Sequence, residues 1–201
     1  MNKRVYISAD YSENDGDREV VDVLKQWGSD NKHITNFVDT AEVKSGSISR
    51  DQDCRPCDLK KEFNKQINAS SAVIFVVGDK TKIRTAGSSC SRLKNDQAQC
   101  SCTPYKQNTK GTTSCKVFFT SPASDDFGEI NACSYLKHEF MQAIKRGKVI
   151  VIVYNSLNKQ PHWLPDYMVG YETIAQPFWI QNKWGDKIGN YPLIKKALGY
   201  E

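Results

Sequence analysis

Residues 72–78 read Ala-Val-Ile-Phe-Val-Val-Gly, an unbroken apolar run that stops at a glycine. A strand that helices cover on both sides has no polar face, so such a run is typical of a central strand in a parallel sheet. Residues 149–154, Val-Ile-Val-Ile-Val-Tyr, repeat the pattern. The two runs together predict an α/β domain whose sheet is buried between helices.

The segments before residue 72 alternate between strand and helix patterns. Val5 to Ala9 predicts a first strand, and apolar residues at helical spacing predict a helix from about Asp17 that stops at Gly28. Ile34 to Val38 predicts a short second strand, and a second helix begins at about Asp58. The two apolar runs at 72–77 and 149–154 are therefore the third and fourth strands.

The segments around the fourth strand continue the alternation. Ser134 is a predicted N-cap for a helix that Gly147 ends. Pro177 to Ile180 predicts an edge strand, and Pro192 to Leu198 predicts a closing helix. The apolar stripe of the helix after Ser134 should face the sheet, and it comprises Leu136, Phe140, Ala143 and Ile144.

Strands that alternate with helices predict right-handed crossovers and an open parallel sheet of five strands in the flavodoxin-like order 2-1-3-4-5, with helices on both faces. Ligands bind such sheets beyond the carboxyl ends of the strands where the winding reverses, here strands 1 and 3. We therefore expect Asp10 after strand 1, Asp79 after strand 3 and the helix after Ser134 to face one cleft.

The length and composition indicate one soluble domain over residues 1–201, because 201 residues can bury a sizeable core. Residues at about 82–132 are rich in Cys, Ser and Thr and indicate an irregular insertion. The net charge of +5 is scattered, so we expect no nucleic-acid binding. Without a signal peptide or an apolar run of about 20 residues, we expect a cytoplasmic protein that does not bind membranes.

The seven cysteines suggest a metal site. In a reducing compartment, C-x-x-C and C-x-C spacings favour thiolate ligands over disulfides, and a structural zinc ion could hold an insertion that lacks core residues. The spacing matches no standard zinc pattern, so unpaired thiols and disulfide or redox chemistry stay open. The ligand set that we predict is Cys90, Cys100, Cys102 and Cys115, with Cys54 and Cys57 as alternatives.

Glu139 is the residue that we expect to carry chemistry. It lies in the first two turns of the helix after Ser134, one turn after Tyr135 and just off the apolar stripe. A carboxylate near a helix N-terminus should stay ionised unless burial dominates. There it could accept hydrogen bonds from ribose hydroxyls and stabilise an oxocarbenium-like sugar. The alternative is an ordinary surface glutamate in a first helical turn.

Three stretches resemble the TIR-like proteins of bacterial Thoeris antiphage systems (ThsB type). They are the first strand after Lys3-Arg4, the run Val-Val-Gly-Asp-Lys-Thr at 76–81, and Tyr-Leu-Lys-His-Glu at 135–139 before the strand that follows Lys148. In TIR enzymes the catalytic glutamate opens this helix, with an aromatic residue, often Trp, four positions earlier. The resemblance implies a TIR-like fold, Glu139 as the catalytic residue and Tyr135, in place of Trp, at the substrate.

The resemblance also implies an activity, the cleavage of NAD at the nicotinamide–ribose bond. The ADP-ribosyl part would be hydrolysed, cyclised or joined to an acceptor, and the product would activate a partner effector. Ser8, Asp10 and Tyr11 would line the nucleotide cleft, and a homo-oligomer would be the active form because TIR sites are often completed across subunits. The acidic first loop would repel a pyrophosphate, which leaves Lys80, Lys82 and Arg84 as sources of compensating charge.

Three other functions are alternatives. A non-catalytic TIR-type module that acts by self-association would leave Glu139 dispensable. A response-regulator receiver could use Asp79 but needs a lysine after the fourth strand, where this chain has Asn155-Ser156. A flavodoxin needs a Ser/Thr/Gly-rich phosphate loop after the first strand, where this chain is acidic. The receiver and the flavodoxin fit less well than NAD cleavage.

Overall fold

The computed structural model describes residues 3–10, 16–29, 35–39, 55–85 and 134–200. Short 3-10 helices cover Thr81–Ile83, Pro161–Trp163 and Asp166–Met168. The strands of the described residues are β1 (Lys3–Ser8), β2 (Thr35–Asp39), β3 (Ala72–Val77), β4 (Val149–Tyr154), β5 (Gln176–Pro177), β6 (Trp179–Gln181) and β7 (Lys187–Gly189). The α-helices are α1 (Asp17–Ser29), α2 (Arg55–Asn68), α3 (Tyr135–Lys145) and α4 (Tyr191–Ala197).

The main sheet has five parallel strands in the order β2-β1-β3-β4-β5. This order confirms the predicted fold class, an open α/β sheet of the flavodoxin-like and TIR-like type. β1 lies between β2 and β3, and Ser8 at its carboxyl end is level with Phe75 of β3. The winding reverses at β1, so the carboxyl ends of β1 and β3 form the edge where such folds bind ligands.

The core has one layer on each face of the sheet. On one face, Val5 and Ile7 of β1 pack with residues of α1 and α4. On the other face, Tyr6 and Phe75 pack with Ile67 of α2 and with apolar residues of α3. Because successive residues of a strand point to opposite faces, Ser8 shares the face of Tyr6, toward α2 and α3.

α3 begins where the sequence predicts. Ser134 is its N-cap, and the Ser134 hydroxyl accepts a hydrogen bond of 3.0 Å from the backbone N–H of Lys137. Gly147 follows the helix with a φ of 58°, in the left-handed region that favours glycine. The predicted apolar stripe is wrong at Ile144, which is 40% exposed. Ile144 lies about 100° around the helix from the buried Ala143, which carries it past the edge of the buried face.

The predicted edge strand Pro177 to Ile180 is correct at Pro177, which belongs to β5, and wrong for residues 178–180. β5 ends at Pro177, and the chain then leaves the sheet to form the antiparallel pair β6–β7, with Ile180 opposite Ile188. The turn between them is built by Asn182, whose side-chain oxygen accepts hydrogen bonds from the backbone N–H groups of Trp184 and Asp186. Gly185 supplies the positive φ of 86° that the turn requires.

Two predictions about the whole chain extend beyond the described residues. The irregular insertion at about 82–132 lies outside them except for residues 82–85, and the single domain over 1–201 stays a prediction. None of the described helices combines the length and the apolar composition that a membrane-spanning helix requires.

Candidate functional site

Glu139 lies on α3 and faces the carboxyl half of β1. The Tyr6 hydroxyl donates a hydrogen bond of 2.7 Å to Oε1 of Glu139, and the Ser8 hydroxyl donates another to Oε2. Tyr6 and Ser8 are two apart in β1, so both hydroxyls stand on the face that α3 covers. The Glu139 side chain is 1% exposed, which excludes the alternative of an ordinary surface glutamate.

Burial controls the ionisation of this carboxyl. It raises the pKa of Glu139 from 4.5 to about 8, against the hydrogen bonds from Ser8 and Tyr6, which lower it. The negative charge of Asp10 raises the pKa further. A glutamate near a helix N-terminus is expected to be ionised unless burial dominates, and at Glu139 burial does dominate. At pH 7 the neutral carboxylic acid is therefore the main form.

Contacts between α2 and α3 fix the rotation of α3 about its axis. His138 Nε2 and Asn64 Oδ1 share a hydrogen bond of 2.9 Å, and one turn later Gln142 donates a bond of 2.9 Å to Asn68. Consecutive helical residues point about 100° apart. With His138 directed at α2, Glu139 is directed at β1.

Tyr135, predicted to lie at the substrate, is half-buried between the two helices. Its ring meets the ring of Phe63 on α2 edge to face, with the centroids 5.6 Å apart. This ring contact lies at the start of the α2–α3 interface, one turn of α3 before His138. The role of Tyr135 at a substrate stays a prediction.

The other predicted site residues differ in their surroundings. The Ser8 hydroxyl contacts the Glu139 carboxyl directly, and the negative charge of Asp10 is close enough to raise the pKa of Glu139. Asp79 is exposed in the turn after β3, on the same edge of the sheet. Tyr11 lies outside the described residues. Lys82, a candidate for balancing a pyrophosphate, forms an ion pair of 2.8 Å with Asp166.

Tyr6 is a site residue that we do not predict from the sequence. It sits inside an apolar strand, where a tyrosine is usually taken as a core residue. A signal was nevertheless present, since Tyr6 and Ser8 place two hydroxyls on one face of the first strand, next to the predicted crevice.

A second polar cluster, partly buried, lies at the carboxyl ends of the strands, on the face that α1 covers. The indole N–H of Trp179 donates a bond of 3.0 Å to Asn155, and the Asn155 amide donates one of 3.1 Å to Asp17. A side chain at Gly78 would bring its Cβ to 2.7 Å from Asp17 Oδ1, so the Asp17 carboxyl would have to shift to accommodate it. The cluster ties the first turn of α1 to β4 and β6.

The predicted zinc ligands Cys90, Cys100, Cys102 and Cys115, and the alternative Cys54, lie outside the described residues. Cys57 is in the first turn of α2. Among the residues that the structure describes, no group of three or more His, Cys, Asp or Glu side chains could hold a metal ion. Structural zinc stays a prediction.

No protein-family model matches the chain, and no curated protein matches it. Among solved structures, a prokaryotic SEFIR domain is similar to this chain with a TM-score of 0.35 and 13% sequence identity. The alignment covers 97% of this chain and 86% of that one. The assignment of the fold rests on the strand order of the sheet itself.

Proposed function

We propose that this chain is a TIR-type enzyme that cleaves NAD, with Glu139 as its catalytic carboxylate. The observation that carries the proposal is one carboxyl group, buried, hydrogen-bonded through both oxygens to β1, and with a pKa raised to about 8. Strongly perturbed acids concentrate at functional sites, and this one is beside the edge of the sheet where folds of this type bind nucleotides.

In the proposed reaction the bond between ribose C1′ and the nicotinamide nitrogen breaks, and its electron pair leaves with nicotinamide. The ribose becomes an oxocarbenium-like cation that ionised Glu139 stabilises. Attack by water, or by a hydroxyl of the same or another molecule, completes the reaction and releases a proton. The ADP-ribose-derived product then serves as a diffusible signal that activates an effector protein in cytoplasmic antiphage defence.

Ionisation and access are the two conditions that the site must meet. The nicotinamide ring of NAD carries a positive charge, and a cation beside a carboxyl lowers the pKa of that carboxyl. Because Glu139 is almost wholly buried, neighbouring residues must move before a sugar can reach it. Self-association into a homo-oligomer is the step that we propose opens the site.

A second candidate function is also based on the burial of the Glu139 carboxyl. A neutral glutamic acid with both oxygens bonded could be a structural element of a non-catalytic module that works by self-association. This candidate predicts no turnover of NAD and no functional effect of a neutral residue at position 139.

The two candidates separate in one assay. The full chain is incubated with NAD, with and without extract of phage-infected cells, and nicotinamide release and product mass are measured. We expect release by the native protein and a loss of roughly 100-fold or more in Glu139→Gln. Glu19→Gln is the matched control, since Glu19 is exposed on α1 and its ion pair with Lys187 lies at the surface.

Each outcome has a defined meaning. Unchanged turnover in Glu139→Gln removes this residue from the mechanism. Absence of nicotinamide release from the folded native chain under both conditions rejects the enzyme in favour of the interaction module.

A further inference from the structure

Tyr6 is fully buried in the middle of β1, and its hydroxyl contacts the carboxyl of Glu139. A phenol hydroxyl in an apolar layer is costly unless it is hydrogen-bonded. Phenylalanine would fill the same space without that cost. Packing alone therefore does not explain why position 6 carries a hydroxyl group.

The bond from Tyr6 has a defined chemical effect on Glu139. An O–H group donated to a carboxyl oxygen stabilises the ionised form more than the neutral one. Ser8 donates to the second oxygen, so the two hydroxyls also fix the plane of the carboxyl against the sheet. β1 thus opposes the effect of burial and orients the group at the same time.

Several other polar groups of the described residues belong to the elements on the same side of the sheet as Glu139. Asp10, beyond β1, acts on Glu139 through its charge. On α3 itself, His138 points to Asn64 on α2. The titratable groups that α2 and β4 bury on this side of the sheet are Lys60 and Tyr154. Tyr6 differs from these titratable groups in donating a bond of 2.7 Å to the Glu139 carboxyl.

We propose that Tyr6 is a positioning residue for the reaction, whose hydroxyl holds Oε1 of Glu139 beside the carboxyl end of β1 and favours the ionised carboxylate. The inference rests on the proposed function for its catalytic meaning. Its physical content, control of the ionisation of Glu139 by Tyr6, can be measured without any turnover.

Tyr6→Phe removes the hydroxyl and keeps the ring. Glu139 should then ionise at a pH about one unit higher, which leaves about tenfold less carboxylate at pH 7. The acid limb of the pH profile of kcat/KM should move upward by the same amount. At a pH well above both midpoints, the native protein and the variant should have similar activity.

Tyr154→Phe is the matched control. Tyr154 is fully buried on the same face of the sheet, at the end of β4, and its hydroxyl has no hydrogen-bond partner among the described residues. The substitution removes the same atom from a comparable site without touching Glu139. It should leave the acid limb where it is.

The experiment measures two quantities on the full chain. The first is the pH profile of nicotinamide release for the native protein, Tyr6→Phe and Tyr154→Phe. The second is the ionisation of Glu139 itself, followed through the carboxyl stretching band in infrared difference spectra against Glu139→Gln. The infrared titration does not depend on activity, so it tests Tyr6 even if the chain does not cleave NAD.

A shift of both midpoints in Tyr6→Phe alone supports the proposal. An infrared midpoint that is unchanged in Tyr6→Phe overturns it, whatever the activity. A uniform loss of activity at every pH, with no shift, assigns Tyr6 to packing only. Absent turnover together with a shifted infrared midpoint rejects the enzyme and retains the control of Glu139 by Tyr6.

Discussion

Glu139→Gln should change how the stability of the protein depends on pH. In the folded chain burial raises the pKa of Glu139 to about 8, against 4.5 for an exposed glutamate as in the unfolded chain. Between these values the folded state keeps a proton that the unfolded state has lost. The contribution of Glu139 to the free energy of unfolding therefore falls as pH rises from 4.5 toward 8, and this contribution is highest below 4.5. A glutamine at this position does not titrate, so the variant lacks this pH-dependent contribution to the free energy of unfolding.

The size of the effect follows from the difference between the two pKa values. Each pKa unit corresponds to about 1.4 kcal/mol, so the stabilisation that Glu139 contributes to the native protein should fall by about 3 kcal/mol between pH 4.5 and pH 7. The loss should level off at about 5 kcal/mol above pH 8. The native and variant proteins share their other ionisable groups, so the difference between their unfolding free energies isolates position 139.

Urea denaturation at half-unit steps from pH 4.5 to pH 8.5 measures this difference. We expect the unfolding free energy of Glu139→Gln to rise relative to that of the native protein over this range. Glu19→Gln, at an exposed site, should show no such trend. A difference between Glu139→Gln and the native protein that is constant with pH, or that changes in the opposite direction, would refute the buried, proton-binding carboxyl.

Three further substitutions test the surroundings of the site. Tyr154→Phe removes a buried hydroxyl that has no hydrogen-bond partner among the described residues. Urea denaturation should therefore show an unfolding free energy that is unchanged or raised by up to about 1 kcal/mol. A loss of more than about 1 kcal/mol would contradict this prediction. Ser134→Ala removes the cap of α3 and should cost about 1 kcal/mol in the same assay, whereas no loss would mean that the cap bond is not stabilising. Gly189→Ala places a Cβ 2.7 Å from the Trp27 ring and should lower stability by about 1–3 kcal/mol; an unchanged thermal midpoint would show that the ring moves freely.

The sequence alone predicts the central strands of the sheet. The apolar runs at 72–77 and 149–154 have the bounds of β3 and β4, and Ser134 caps α3 as its position predicts. The alternation of strands and helices predicts a parallel sheet with right-handed crossovers, and the order 2-1-3-4-5 is one of the common orders of such sheets. The two central strands and the helix cap are predictable because each depends on a local pattern of residues.

Where local patterns compete, the sequence is less decisive. It predicts one edge strand at 177–180, yet the turn around Asn182 and Gly185 draws residues 179–181 into a hairpin of their own. It also predicts a buried Ile144, although the packing of α3 leaves that side chain exposed. The first error comes from a local turn that competes with the sheet, and the second comes from the way α3 packs on its neighbours.

The chemical state of Glu139 is decided by tertiary structure. Its hydrogen-bond donors, Tyr6 and Ser8, are 133 and 131 positions away in the chain, and the sequence pattern does not specify which strand α3 faces. Folding removes water from the carboxyl and surrounds it with two hydroxyls and the charge of Asp10. The sequence determines that a glutamate opens this helix, whereas the fold decides that it holds a proton, because ionisation depends on solvent and on charges that only folding brings near.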